Sequence, residues 1–200
     1  MKKKIAIVIF TRNSEVIIKK TIVAAKKISK DVIICDSYSK DNTIKIAKSL
    51  HCKIFYKKLI TYADKRNYFI KKCNKLYDWQ LHLDSDEVLS KKLIKNINEI
   101  INSNDKTYAY LIKRQLYFLN KKLSFGGASN WQLRLFPSGT TLVEKSNYDQ
   151  HFKSKLKTKY ISGALNDMNI QNLHEWINSH NKWSTLGAKD DWIKNLKNKV

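Results

Sequence analysis

The run IAIVIF, Ile5 to Phe10, contains no polar residue, which predicts a strand covered on both faces, as in a parallel sheet. In the segment SEVIIKKTIVAAKKIS that follows, Ile17, Thr21, Ala24, Ala25 and Ile28 share one helical face, with lysines opposite. DVIICDS predicts a second strand, YSKDNT a turn and TIKIAKSL a second helix. CKIFY and YADKRNYFIKKCN repeat the strand and helix. DWQLHLD predicts a fourth strand, with Trp79, Leu81 and Leu83 on one side and Gln80, His82 and Asp84 on the other.

This alternation implies right-handed crossovers and an α/β fold, a doubly wound, mostly parallel sheet flanked by helices. After a helix near Leu89 to Ile101 the pattern changes. TYAYLIKRQLYFLN, NWQLRLF and TTLVEKS predict longer strands, separated by NKKLSFGGAS and PSG. From about Gln171 the spacing of Leu173, Trp176, Ile177, His180, Trp183 and Leu186 predicts a C-terminal amphipathic helix.

A chain of 200 residues with 42% apolar content supports one domain with a real core. The 39 Lys and Arg against 17 Asp and Glu give a formal charge of +22, a field that suits nucleic acid, anionic lipid or phosphorylated small molecules. The excess of lysine, with abundant Ile and Asn, is equally explained by background composition. Cys35, Cys52 and Cys73 are scattered among apolar residues, which fits reduced thiols in a cytoplasmic chain and no metal site. MKKKIAIVIF begins like a signal peptide, but no small-residue cleavage site follows, so it reads as a first strand. No apolar run approaches the roughly 20 residues that cross a bilayer.

Against this positive background, LHLDSDEVL gathers Asp84, Ser85, Asp86 and Glu87 just past a strand. Two carboxylates two residues apart repel, so a positive partner is expected beside them, and a divalent metal is one candidate. Asp84 and Asp86 can direct oxygens toward one Mn2+ or Mg2+ ion, which would bridge the phosphates of a nucleotide diphosphate. A helix cap by Ser85 or Asp86 would need only one such residue. Thr11, Asp36 and this cluster each follow a strand, and ligands of doubly wound sheets bind at those ends.

Taken together, IAIVIFTRNSE, VIICDSYSKDNT, YADKRNYFI and WQLHLDSDEVLS resemble the inverting nucleotide-sugar glycosyltransferases of family 2, which have the GT-A fold. NWQLRLF and LHEWINSHNKWSTLGA resemble the subgroup that builds bacterial lipopolysaccharide core and exopolysaccharide. The resemblance covers nearly the whole chain and implies a nucleotide-binding half at 1–102, then an acceptor half with the C-terminal helix at 103–200. It assigns Asp86 to the metal, Asp84 to the ribose or metal, and Asp36 to the uracil or ribose. Thr11, Arg12 and Glu15 match the first nucleotide-contacting loop, and Lys65 or, better, Arg66 the cation near the diphosphate. Ser85 belongs to the same nucleotide-sugar cluster.

An inverting transfer needs a general base for the acceptor hydroxyl. Where the subgroup shows a His-Glu pair, this chain reads SNYDQHF, with Gln150 at the place of the glutamate. Asp149 is the candidate base and Glu144 the second, and a catalytically inactive donor-binding relative is an alternative. Trp131 and the Gly126-Gly127 pair fall where the subgroup approaches its acceptor, although a hairpin and a core tryptophan would read the same. His174 and His180 lack the spacing of a helical zinc pair.

The resemblance implies a saccharide acceptor, lipid-linked as in lipopolysaccharide or capsule assembly, and an enzyme peripheral on the cytoplasmic membrane face. Trp176, Trp183 and Trp192 with intervening lysines would suit an anionic membrane surface, while packing on the sheet explains the first two equally well. A sugar nucleotidyltransferase would open with a glycine-rich loop, and FTRNSE has no glycine. A basic nucleic-acid-binding protein is the rival from another class, but no reading motif is present, and nucleic acid is not an expected partner.

Overall fold

The computed structural model describes residues 3–58, 61–119, 121–125, 129–144, 151–169 and 172–197. Strands β1 (Lys3–Thr11), β2 (Val32–Asp36), β3 (Lys53–Tyr56) and β4 (Tyr77–Asp84) form a parallel array in the order β3-β2-β1-β4. Helices α1 (Ile18–Lys26), α2 (Thr43–Ser49) and α3 (Tyr62–Asn74) connect them in sequence. The continuous apolar run of β1 is explained by its two covered faces. Ile5, Ile7 and Ile9 pack with Ile18 and Ile22 of α1, while Ala6 and Val8 pack with Phe69 and Cys73 of α3.

β4 carries an informative difference from the alternation of its sequence. Trp79, Leu81 and Leu83 enter the larger core, each contributing about 1.5–3 kcal/mol by burial. Gln80 and His82 on the other face are buried as well. His82 Nε2 lies 3.0 Å from Gln80 Oε1, and Gln80 Nε2 donates to Asn74 Oδ1 at 2.8 Å, while His82 Nδ1 is buried without a hydrogen-bond partner among the described residues.

A two-residue turn leads from β4 into β5 (Glu87–Leu89), a strand hidden in the sequence by the acidic cluster. The following helix therefore begins later than its apolar pattern suggests, as α4 (Lys91–Ser103), with Ser90 Oγ accepting from Leu93 N as its cap. The rest of the sheet is built from β6 (Tyr108–Phe118), β7 (Lys121–Lys122), β8 (Ser129–Pro137) and β11 (Lys157–Asn169), completing the order β4-β8-β6-β11-β5. β9 (Thr141–Val143) and β10 (Phe152–Ser154) form a separate hairpin, so TTLVEKS yields only a short strand.

Two register shifts aim residues toward the end of β4. In β8, Leu135 faces Tyr110 and Leu133 faces Leu111, so Arg134 is the extra residue of a bulge. In β11 the register steps between Ile161 and Ala164, across Gly163 at φ +102. A Cβ there would lie 2.5 Å from the Leu93 backbone nitrogen, so only glycine lets α4 come this close. Ser90 Oγ then accepts from Ala164 N at 3.0 Å, and Asp167 lands opposite Glu87.

The C-terminal helix α5 (Leu173–Lys197) forms where its spacing predicts. Its apolar face is not sealed: Trp176 meets Phe118 at 5.5 Å, yet Leu173, Ile177 and Trp192 are exposed. Cys35 and Cys73 are buried free thiols, pushed up to about 12 and about 11 chiefly by burial.

Candidate functional site

Strands β1, β2 and β4 end together, with Thr11 beside Asp36 and Phe10 beside Asp84 in register. Asp36 is fully buried and its oxygens are engaged within the protein. Thr11 Oγ1 donates to Oδ1 at 2.9 Å, Ser39 N to Oδ2 at 2.7 Å and Ser39 Oγ to Oδ1 at 2.5 Å. These bonds fold the DSYS turn and hold Tyr38 at φ 58. Glu15 Oε2 accepts from both Asn42 N and Asn42 Nδ2 at 2.8 Å, which ties the first loop to the start of α2. Arg12 is exposed on that loop. Lys65 is buried, donates to Ser37 Oγ, and has its proton affinity lowered mainly by that burial.

The turn after β4 is pinned from two sides. Ser85 Oγ accepts from Ser14 Oγ at 2.8 Å, its carbonyl accepts from Thr21 Oγ1 at 2.7 Å, and the Asp86 carbonyl accepts from Met168 N at 3.0 Å. The positive charge expected beside the carboxylates comes partly from arginine. Asp84 Oδ1 accepts from Arg66 at 2.5 Å and Oδ2 from Arg134 at 3.1 Å. Arg134 also donates to Glu87 Oε1 at 2.7 Å, and Arg114 pairs with Asp167. Packed surroundings oppose charge on Asp84, but Arg66 and Arg134 overcome this and hold it down to about 2. The fully buried Arg66 guanidinium also lies over Phe10, at 4.5 Å, and Phe152, at 5.4 Å.

Asp86 stands apart within this cluster. Burial first, then the charges of Asp167, Asp84 and Glu87, push its carboxyl well above the usual carboxylate range, and among the described residues no cation neutralises it. No three His, Cys, Asp or Glu side chains form a ready metal cage among the described residues. A carboxylate crowded by carboxylates nevertheless fits a hard divalent cation. Such ions use one or two protein carboxylates and complete their shell with water and substrate phosphate. His82, behind the cluster, is kept neutral by burial and by Arg66 and Arg134, which lower its proton affinity well below normal.

The residues foreseen for the base and acceptor are distributed differently. Gly126, Gly127, Asp149 and Gln150 lie outside the described residues. Glu144 directly follows β9, and its N–H donates to the His151 carbonyl at 3.0 Å. Its exposed carboxylate is 3.7 Å from Lys153 Nζ. Trp131 is 45% exposed, not a core residue, and meets Tyr160 edge-on at 4.7 Å. Sequence reasoning missed Arg134, Arg114 and Asp167. The one available signal was the demand for positive charge beside Asp84, which arginine answers as well as metal.

The model of glycosyl transferase family 2 matches residues 6–153. A glycosyltransferase of Rickettsia conorii, itself uncharacterized, is 35% identical over 94% of this chain and 70% of its own length. Among solved structures, the crystal structure of S. aureus TarS has a TM-score of 0.50 at 22% identity, covering 63% of this chain and 39% of that one. The 4-diphosphocytidyl-2C-methyl-D-erythritol synthase of Anaerococcus prevotii has a TM-score of 0.53 at 14% identity, over 88% of this chain and 93% of that one. At these identities the structural likeness establishes the fold alone, a GT-A-like one. The chain spans about seven-tenths of the rickettsial relative and well under half of the TarS chain.

Proposed function

This chain belongs to glycosyl transferase family 2, and from that premise we propose that it transfers a sugar, with inversion, from a nucleotide-diphosphate donor to a saccharide acceptor. The donor in this reading is a UDP-hexose, and the acceptor a lipid-linked saccharide of lipopolysaccharide or exopolysaccharide assembly. Residues 1–102 bind the donor and residues 103–200 the acceptor. The observation that carries the reading is the Asp86 carboxylate, held at the carboxyl end of β4 among Asp84, Glu87 and Asp167 without a cation of its own among the described residues.

Asp86 would hold Mn2+ or Mg2+, and the ion, when bound, supplies Lewis-acid stabilisation of the departing diphosphate. Asp84, fixed by Arg66 and Arg134, keeps the turn rigid and presents its charge at the rim. Arg66 and Lys65 add positive charge on the donor side. In the transfer, the acceptor oxygen bonds to the anomeric carbon from the face opposite the diphosphate, and the carbon–oxygen bond to the diphosphate breaks. The hydroxyl proton passes to a general base. Asp149 is our candidate for that base, with Glu144 second, and Trp131 with Gly127 for contact with the acceptor. No described helix is long and apolar enough to cross a membrane. Peripheral attachment to an anionic cytoplasmic face, aided by the net charge of +22, belongs to the proposal.

The test is calorimetric titration of UDP, GDP and their sugar conjugates, with Mn2+ or Mg2+ and again with chelator. Metal-dependent binding of one nucleotide is expected. A folded sample that binds none of them would overturn the reading.

A further inference from the structure

We propose that the ring of Tyr38, backed by Tyr56, is the stacking platform for the nucleobase of the donor, an inference that rests on the nucleotide-sugar reading above. Three observations carry it. First, Tyr38 is 59% exposed and Tyr56 50%, yet the rings are ordered against each other, with centroids 5.8 Å apart and planes 26° from parallel. Tyr56 therefore covers one side of an aromatic ring whose remaining surface is open, a shape that fits another flat π-system.

Second, Tyr38 has a left-handed backbone at φ 58. A bulky residue takes that conformation only under constraint, and a glycine would take it without strain. The constraint comes from Asp36, whose carboxylate collects Ser39 N, Ser39 Oγ and Thr11 Oγ1, while its carbonyl accepts from Lys57 N at 2.9 Å. The turn thus displays an aromatic ring at a backbone position that favours glycine. The Asp36 oxygens are spent on folding that turn, so face-to-face contact is the stronger means of holding a base here.

Third, the spacing suits the ligand. Tyr38 follows the end of β2 by two residues, and Asp36 pairs with Thr11 and Phe10 with Asp84, so the platform and the Asp84 turn are separated by the strand order β2-β1-β4. Two strand spacings are about 10 Å, within the reach of an extended nucleoside diphosphate from its base to its terminal phosphate. A base on Tyr38 places the diphosphate near Asp86 without moving any strand. Stacking accepts any base, so this platform supplies affinity more than base identity.

The experiment measures binding of Mg2+ pyrophosphate and of whichever of UDP, GDP, CDP and ADP the parent binds most tightly. Parent, Tyr38→Phe and Tyr38→Gly are compared by calorimetry, with thermal melting of each. Tyr38→Gly should bind the nucleotide roughly 5- to 150-fold more weakly, keep parental pyrophosphate binding, and melt no lower than the parent. Tyr38→Phe should bind like the parent. Undiminished nucleotide binding by Tyr38→Gly would overturn the inference, as would an equal loss for nucleotide and pyrophosphate, which would mark a purely structural loop. If the parent binds pyrophosphate but no nucleotide, the donor reading and the platform fall together. Nucleotide binding that survives Tyr38→Gly removes the platform alone.

Discussion

Arg134 and Glu87 form an ion pair at 2.7 Å with both side chains almost wholly withdrawn from water, at 7% and 1% exposure. The pair joins the bulge of β8 to the strand that follows the acidic turn. Arg134 is also shared with Asp84, and Glu87 Oε2 accepts from the Asp84 backbone N–H at 2.9 Å. One guanidinium therefore fixes both the side chain and the main chain at the start of the turn that carries Asp86.

Replacing Arg134 with methionine keeps the volume but leaves Glu87 buried and unpaired. The expected cost is about 3–5 kcal/mol of unfolding free energy, because a buried charge has lost its partner. Urea denaturation measures it, and Glu87→Gln in the Arg134→Met background should recover much of the loss. A change below about 1 kcal/mol in the single variant would assign the pair the weight of a surface contact.

Gly163→Ala tests how β11 delivers Asp167. The added Cβ would meet the Leu93 backbone at 2.5 Å at a φ of +102, so α4 or the bulge must move. A loss of roughly 1–3 kcal/mol is expected from conformation alone, read by thermal melting. The same shift displaces Asp167 from Glu87, so metal-dependent nucleotide binding should weaken with it. A variant as stable as the parent would show that α4 gives way freely.

His82 makes stability depend on pH in a definite direction. Its folded proton affinity is well below that of the unfolded chain, through burial and then Arg66 and Arg134. Its contribution is thus complete above the ordinary histidine value and is lost as pH falls below it. His82→Leu leaves Gln80 Oε1 without its partner, so the parent should be the more stable at pH 8. The gap should close toward pH 5 by up to about 1.4 kcal/mol per pH unit. A gap independent of pH, in urea melts from 5 to 8, would contradict this.

The first half of the chain was legible in the sequence because its strands are buried on two faces and its helices on one, which writes continuous and periodic apolar runs. YADKRNYFIKKCN reads as a helix and is α3. β11 was not legible: Lys157, Lys159 and Tyr160 lie exposed on it, and the bulge at Gly163 breaks its alternation. The helical spacing of α5 was readable, but its exposure was not, since nothing in a spacing says whether a partner element is present. At the candidate site, the carboxylates announced themselves by clustering within four residues. Their arginines did not, because Arg134 is 50 residues from Asp84 and reads as an ordinary solvent-facing strand position. Glu15 and Asp36 show a related limit: their identity is visible in sequence, but not that Asn42 already holds one Glu15 oxygen and Thr11 and Ser39 both of those of Asp36.

The central claim is that Asp86, crowded by Asp167, Asp84 and Glu87, holds a divalent cation together with a nucleotide diphosphate. Thermal melting of parent and Asp86→Asn at pH 7, each alone and with Mn2+ and UDP together, tests it most directly. Because the folded proton affinity of Asp86 is raised, its ionised form costs stability as pH rises above the ordinary carboxylate range. Asp86→Asn should therefore melt higher than the parent when alone. With Mn2+ and UDP the parent should rise, by about 2.7 kcal/mol at ligand 100-fold above its dissociation constant, and Asp86→Asn should not. A variant that melts lower alone and gains as much as the parent from Mn2+ and UDP would contradict the account.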